Sequence, residues 1–233
     1  MSVEAIDEPI LLSVEQSEAL IRWVSEQPEY GSTMRAFLAA VACAALRPAE
    51  SAGLRVRDAI LPESGLGELA IPRPWREQAD RTEGADGLRK GEMRRVPASS
   101  ELVEVLREEV SRRGLTADDL LFAGTSGEPM SSALYRRAWA RAREAVLDPN
   151  EVGSPLGRQV SDLRDACVAR WLVSGISVFA VAEVVGTSAS YLAKRFPHCF
   201  PVGAVIPWDR IELAQALDLA PIAATHSPRR SRG

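Results

Sequence analysis

The sequence predicts an α+β protein that is mostly helical and carries a small antiparallel sheet. Apolar residues recur at the three- and four-residue spacing of helices over most of the chain. Short alternating segments occur only between 55 and 98, where glycine, proline and polar residues separate them. A chain of 233 residues, 46% of them hydrophobic, has ample material for the core of such a domain.

The amino-terminal part is predicted to hold three helices. Ser13 is a helix-capping residue followed by an apolar face, so the first helix should begin there. A second helix begins at 31–33 and runs through a strongly apolar stretch that we expect to be buried. Pro48 suits the first turn of a helix, which predicts a short helix over 48–53.

The alternating segments follow in the middle of the chain. Residues 67–72 and 93–97 are predicted to pair as antiparallel strands, with a loop at about 73–88 between them. A further helix opens at 99–101 and ends before Gly114, a residue that often closes helices.

The carboxyl-terminal half is again helical. Ser131 precedes a helix in which Tyr135, Trp139, Ala142 and Val146 form one apolar stripe. Residues 149–155 are predicted to be a loop. Helices are then predicted at about 162–174, 178–185, 188–195 and 208–217.

Charge alone does not favour a nucleic-acid partner, because the net charge is −4. The positive charge is nonetheless clustered: arginines gather at 134–143, whereas acidic residues concentrate at 1–30 and 99–119. Only Lys90 and Lys194 are lysines, so almost every cation is a guanidinium. Guanidinium groups match phosphate oxygens with two parallel hydrogen bonds.

Other function classes lack support in the sequence. No apolar run reaches the roughly 18 residues of a membrane span, and no signal-peptide pattern precedes the first helix, which predicts a cytoplasmic protein without a membrane partner. The three cysteines have no metal-ligand spacing, and Cys43 and Cys167 lie in apolar helical patterns that predict buried thiols. We expect no metal and no cofactor.

Two segments carry candidate chemistry. The first reads ALRPAE at 45–50 and continues as GLRVRD at 53–58. The second reads SDLRDAC from Ser161 and continues through GTSASYLAKRFPH, which begins at Gly186. Together they resemble the two active-site boxes of the tyrosine recombinases (the phage-integrase family), in the form common among actinobacterial integrases. The resemblance covers about residues 11–212 and implies the catalytic-domain fold of that family.

The resemblance implies a role for each matched residue. Arg47 and Arg164 match the two active-site arginines, and Glu50 matches the acid that supports the first of them. Two such guanidinium forks stabilise the charge on a phosphodiester that is being cleaved, but they also bind a phosphate at rest. The family's hairpin lysine, a general acid, falls on Arg89 or Lys90, of which only the lysine can readily release a proton.

Four positions depart from the family pattern. Phe196 stands where the nucleophilic tyrosine is expected, and a benzene ring has no oxygen with which to attack phosphorus. Asp165 and Ser161 stand where histidine (or, for Ser161, tyrosine) usually flanks the second arginine, and Thr187 stands where histidine, asparagine or tryptophan follows the glycine. Asp165 would oppose phosphate binding or pair with Arg164.

We therefore expect a DNA-binding, integrase-like protein that does not cleave the strand. Besides the active-site positions Arg47, Arg89, Lys90 and Arg164, the DNA contacts are assigned to Arg137 and Arg141, within a wider group of arginines at 112, 113, 136 and 143. An intact integrase or another protein is a possible partner.

Two alternatives stay open. An active recombinase would need a displaced tyrosine or one donated by a partner, but Tyr191 lies about 140° around a helix from Phe196, and Tyr30 and Tyr135 lie in other elements. A protein-interaction module that has lost DNA binding would fit the acidic composition.

The resemblance also predicts the domain organisation. Residues 1–10 form a flexible lead-in, 11–212 the catalytic-type domain, and 213–233 the end of the last helix and a basic, disordered tail. Because few residues precede the first helix, we expect no amino-terminal clamp domain and a weaker DNA affinity unless a partner supplies the clamp.

Overall fold

Helices dominate the part of the chain that the structure describes. The structure is a computed structural model, and it describes residues 10–28, 31–72, 93–124 and 127–200, which fall within one compact unit, Met1–Phe200. Within these ranges the helices are α1 (Val14–Glu26), α2 (Gly31–Ala44), α3 (Pro48–Gly53), α4 (Ser100–Arg113), α5 (Ser132–Val146), α6 (Pro149–Gly153), α7 (Ser161–Val173), α8 (Val178–Val185) and α9 (Ala189–Arg195). The predicted class is confirmed.

Local signals fix several helix ends. Ser13 accepts a hydrogen bond from the Gln16 backbone N–H, and the Gln16 side chain accepts one from Ser13 in return, which satisfies the exposed donors at the start of α1. Gly114 ends α4 in the left-handed conformation, with φ of 62°, which a glycine adopts without strain. The helices predicted to begin at Ser13 and to end at Gly114 are both confirmed.

The sheet has three short antiparallel strands. They are β1 (Ala59–Ile60), β2 (Gly67–Pro72) and β3 (Met93–Ala98), in the order β1-β2-β3. Leu69 faces Val96 and Ile71 faces Arg94 across the β2–β3 pair. Because side chains alternate along β3, Arg94 shares the buried face of the strand with Val96 and Ala98.

Two sequence predictions are wrong. Residues 149–155 were expected to form a loop, but α6 occupies 149–153, since the Glu151 carboxylate accepts a hydrogen bond from the Asp148 backbone N–H and Pro149 suits the first turn. Cys43 is exposed, whereas Cys167 is buried as expected and burial raises the pKa of its thiol to about 12.

Several predictions fall outside the described residues. They concern the lead-in before residue 10, the loop at about 73–88, the helix at 208–217 and the basic tail.

The buried side chains form two clusters that meet near α2 and α7. The larger one joins α1, α2, α4 and α5 to the sheet, and Phe37 stacks on Tyr135 within it at 5.2 Å between ring centroids. The smaller one lies among α7, α8 and α9 and contains Phe196. Arg47, just before α3, reaches the carboxyl end of α8 through a hydrogen bond to the Gly186 carbonyl.

None of the helices in the described ranges has both the length and the apolar character needed to cross a lipid bilayer.

Candidate functional site

Three arginine side chains converge on the carboxyl end of α8. Each donates one hydrogen bond to a backbone carbonyl: Arg94 Nε to Val184 at 2.8 Å, Arg164 Nη2 to Val185 at 2.9 Å and Arg47 Nη2 to Gly186 at 3.2 Å. The last carbonyls of a helix lack partners within the helix, and they carry the negative end of its dipole. Three guanidinium groups therefore satisfy this end; we call Arg47, Arg94 and Arg164 the arginine cluster.

Glu50 holds two members of the cluster together. Arg94 grips both carboxylate oxygens, with Nη1 3.0 Å from Oε1 and Nη2 2.7 Å from Oε2. Arg47 reaches the same carboxylate through Nη1, 2.8 Å from Oε1, and through its backbone N–H, 2.8 Å from Oε2. A carboxylate gripped in this way is strongly fixed in position.

The Glu50 carboxyl stays ionised at neutral pH. Its burial alone would raise its pKa, but hydrogen bonds from Arg94 and from the Arg47 backbone, together with the charges of both arginines, outweigh the burial and lower the pKa.

Arg164 is anchored from a second direction. Its Nε donates to the Ala45 carbonyl at 2.8 Å, and Ala45 has a φ of 49°, in the left-handed region that alanine rarely occupies. That backbone turn, at the junction of α2 and α3, points the carbonyl at the guanidinium. Burial, followed by the nearby charge of Arg47, lowers the pKa of Arg164 from its very high ordinary value.

A cleft of about 730 Å³ opens beside the cluster. It is lined by four arginines, Arg47, Arg136, Arg158 and Arg164, and by the rings of Tyr135 and Trp139, and none of its lining residues in the described ranges is a carboxylate. Arg136 and Arg158 are exposed. A concave surface whose described charged groups are all guanidinium groups attracts anions, and its curvature concentrates the field.

Phe196 is not among the residues that line this cleft. The residue ends α9, where its backbone N–H donates to the Leu192 carbonyl at 2.9 Å, and only 1% of its surface is exposed. Its ring belongs to the apolar cluster that also holds Ala45, Val185 and Leu192. The position that the resemblance assigns to the nucleophile is thus part of the second core.

The remaining predicted site residues are distributed around α7 and α8. Asp165 was expected to oppose a phosphate or to pair with Arg164, but its carboxylate accepts from Arg195 Nη2 at 2.9 Å instead. Thr187 is half-buried, and its backbone N–H donates to the Ala182 carbonyl at 3.0 Å, which closes α8. Arg89 and Lys90 lie outside the described residues.

The arginines of α5 divide by position. Arg137 and Arg141 are exposed on α5 but do not line the cleft, whereas Arg136 does. Arg143 instead donates to backbone carbonyls between 151 and 156, where it holds the segment after α5 in place. On α4, Arg112 and Arg113 pair with the buried Glu109, which gives them a structural role.

Sequence reasoning missed Arg94 and Arg158. Arg94 is 2% exposed, and its inward position follows from the alternation of β3 once Val96 and Ala98 are recognised as core residues. Charged residues are rarely fully buried unless they are paired. An arginine on the core face of a strand therefore indicates a buried ion pair, and this signal could have identified Arg94. Arg158 lies just before α7 in a segment with no periodic pattern, so no local signal indicated that it lines the cleft.

No group of three or more histidine, cysteine or acidic side chains in the described ranges is arranged to hold a metal ion.

Known proteins share this architecture. No model of a protein family matches the sequence. Among curated proteins, the tyrosine recombinase XerC of Pelobacter propionicus is 27% identical over 191 residues, which cover 82% of this chain and 55% of that protein. The chain therefore spans about half the length of the curated relative that it matches.

Two solved structures show the likeness in fold. The XerH site-specific recombinase bound to its palindromic difH substrate superposes with a TM-score of 0.62 at 17% identity, over 88% of this chain and 52% of that one. The catalytic domain of bacteriophage HP1 integrase superposes with a TM-score of 0.55 at 16% identity, over 89% of this chain and 98% of that one.

Proposed function

We propose that this chain, which resembles the catalytic domains of tyrosine recombinases and phage integrases in fold and in sequence, binds DNA through its phosphates without cutting a strand. Its process, by likeness, is site-specific recombination and DNA integration. The observation that carries the proposal is the cleft, whose described lining residues include four arginines and no carboxylate.

The charge of the cleft supports phosphate binding. Arg47 and Arg164 stand at its inner side and Arg136 and Arg158 at its exposed side, so a strand that crosses the cleft meets guanidinium groups along its path. Phosphate contacts of this kind supply most of the affinity of sequence-independent DNA binding. A fold-sharing protein, XerH, has been solved on its DNA substrate, which adds support.

The proposal that the chain does not cleave DNA is supported by the residues at the other family positions. Phe196 carries no hydroxyl, and its ring lies in the second core. Ser161, Asp165 and Thr187 also depart from the family pattern at the positions that flank the arginines. Cleavage needs a nucleophile and proton transfer as well as charge stabilisation, and the cluster supplies only the last of these.

The experiment that tests DNA binding is a salt titration. The affinity of the full chain for a labelled duplex is measured by fluorescence anisotropy between about 50 and 200 mM salt. We expect the affinity to fall steeply with salt, and we expect R136Q and R158Q each to reduce the slope of log affinity against log salt by about 0.9. The matched control is R35Q, which removes an exposed arginine that pairs with Glu108 away from the cleft.

A flat titration of the unchanged protein would contradict DNA binding and would favour the protein-interaction module. An unchanged slope in both cleft variants, with intact binding, would move the DNA contact to another surface.

A second candidate function, strand cleavage through a displaced tyrosine, has one observation in its favour. Tyr135 lines the same cleft as Arg47 and Arg164. Against it, the ring is 9% exposed and stacks on Phe37, which holds it in the core. Tyr191 is 53% exposed on α9, whereas Phe196 is buried, so the two residues face different directions.

Y135F separates this candidate from the first. Loss of a covalent DNA adduct in that variant would support cleavage through Tyr135, and the proposed function expects no adduct from either protein. Mixing the chain with an intact integrase on labelled DNA tests a donated tyrosine, since cleavage would then require Arg47 and Arg164 of this chain.

A further inference from the structure

We propose that Arg94 is a positioning residue for phosphate binding: it neutralises Glu50, so that the charge of Arg47 stays available to DNA. The inference rests on the proposed function, because it concerns the phosphate that the cleft would hold. Arg94 acts through Glu50 and does not line the cleft itself.

The geometry gives Arg94 the stronger hold on the carboxylate. Its two Nη atoms bind the two oxygens of Glu50 at 3.0 and 2.7 Å in a fork-to-fork arrangement, whereas the Arg47 side chain reaches one oxygen, at 2.8 Å. A bidentate pair of this kind is the stronger of the two arrangements. The negative charge is thus compensated from the buried side of the site.

The exposed fraction of the side chain increases from Arg94 through Glu50 to Arg47. The side chain of Arg94 is 1% exposed, that of Glu50 is 13% exposed and that of Arg47 is 36% exposed. Two positive charges and one negative charge leave one net positive charge in the triad, and its most exposed member is Arg47, which lines the cleft. Without Arg94, Arg47 would be the one described cation that is hydrogen-bonded to Glu50, and the remaining pair would be neutral.

A purely structural role for Arg94 makes a different prediction. Arg94 also donates to the Val184 carbonyl, so its loss would disturb the end of α8 whatever happens to Glu50. In that case a second change at Glu50 would leave the DNA affinity low or lower it further. The charge account predicts that the second change restores the affinity.

The test therefore uses R94M, E50Q and the double variant R94M/E50Q in the same duplex salt titration. R94M removes one net positive charge, so its loss of affinity between about 50 and 200 mM salt should be about threefold smaller than that of the unchanged protein. E50Q adds one, so its loss should be about threefold larger and its low-salt affinity higher. The double variant should return to the slope of the unchanged protein.

R95M is the matched control. Arg95 follows Arg94 in β3 but points outward, where it pairs with Glu68, and its side chain is 73% exposed. We expect no change of slope in R95M.

Each outcome is decisive. If R94M does not fold, the higher low-salt affinity of E50Q still tests the charge account. Binding by the unchanged protein with equal slopes in E50Q and in the double variant, or a double variant weaker than R94M, would overturn this inference alone. An unchanged protein that does not bind DNA would overturn the proposed function and the inference with it.

Discussion

Val185, at the carboxyl end of α8, and Phe196, just after α9, both belong to the second core, yet the surroundings of the two helix ends differ. The end of α8 is polar: three guanidinium groups donate to the carbonyls of residues 184–186. The end of α9 is apolar: Phe196 follows its last turn and packs in the second core. The side that we propose to bind a phosphate keeps Arg47 and Arg164, and the position assigned to the nucleophile is filled by the Phe196 ring.

If the chain does not cleave DNA, as proposed, this difference explains why the arginines remain without a nucleophile. The same donors that would contact a phosphate also satisfy the helix end and hold Glu50, so the fold itself depends on them. A tyrosine hydroxyl at 196 has no such structural duty. Its loss leaves an apolar ring that suits the surrounding core.

The largest effect is expected on the polar side. Breaking a buried ion pair leaves an uncompensated charge, so R94M should lower the free energy of unfolding by about 3–5 kcal/mol. R95M removes the neighbouring exposed pair with Glu68 and should change it by less than about 1 kcal/mol. Urea denaturation at neutral pH measures both. Equal values for the two variants would contradict the assignment of Arg94 to the buried network.

On the apolar side, a hydroxyl introduced at position 196 should lower the stability of the protein. F196Y places a polar group where 1% of the residue is exposed, and an unpartnered buried hydroxyl costs about 1–3 kcal/mol. F200Y is the control, because Phe200 is half-buried and a hydroxyl there can reach water. We expect F200Y to stay within about 0.5 kcal/mol of the unchanged protein. If F196Y is as stable as F200Y, the assignment of the Phe196 ring to a closely packed core is wrong.

Substitutions at two glycines distinguish an effect on stability from an effect on DNA binding. Gly186 and Gly114 both end helices with positive φ, 67° and 62°, so G186A and G114A should each cost about 1–2 kcal/mol of stability. A Cβ at 186 would meet Arg94 Cδ at an ordinary 3.4 Å, and one at 114 would meet nothing within 4 Å.

Only G186A should also weaken DNA binding, since the Gly186 carbonyl orients Arg47. Anisotropy titrations of both variants, at a temperature where both are folded, check this. A parallel loss of affinity in G114A would mean that stability alone governs binding.

The smallest effect is a pH dependence of opposite sign at two carboxyls. The pKa of Glu50 is lowered below 4.5, so its contribution to stability is present above that value and is lost as the pH falls through the folded-state pKa. The pKa of Asp162 is raised above 3.8, chiefly by burial, so its contribution is present below that value and is lost as the pH rises through the folded-state pKa.

Relative to E50Q, the unchanged protein should therefore lose stability on acidification. Relative to D162N, it should gain stability over the same range. Urea denaturation series from about pH 6 to about pH 3 give both trends. The same sign for the two comparisons would contradict the assigned surroundings of these carboxyls.

Much of the fold was accessible from the sequence because its signals are local. The caps at Ser13 and Gly114 and the apolar stripe of α5 each depend on residues a few positions apart. The loop predicted at 149–155 is wrong although the signals of α6, Pro149 in the first turn and Glu151 three residues after Asp148, are equally local.

Only part of the candidate site could be predicted from the sequence, because the site depends on contacts between distant segments. The resemblance indicated Arg47 and Arg164, and the structure brings both to the end of α8. Arg94, 44 residues from Glu50 in the chain, has no local feature that names its partner. Likewise, the sequence identified Phe196 as a missing hydroxyl, but only the packed structure shows the ring within a core.

The most direct test of the account is one incubation of the chain with a nicked, end-labelled duplex, a substrate from which a cleaved strand cannot rejoin. Half of the sample is resolved on a native gel and half after denaturation. We predict a retarded complex on the native gel that disappears entirely on denaturation, since the arginines bind the phosphate and Phe196 forms no bond to it. A labelled species that keeps the protein attached after denaturation would contradict the account.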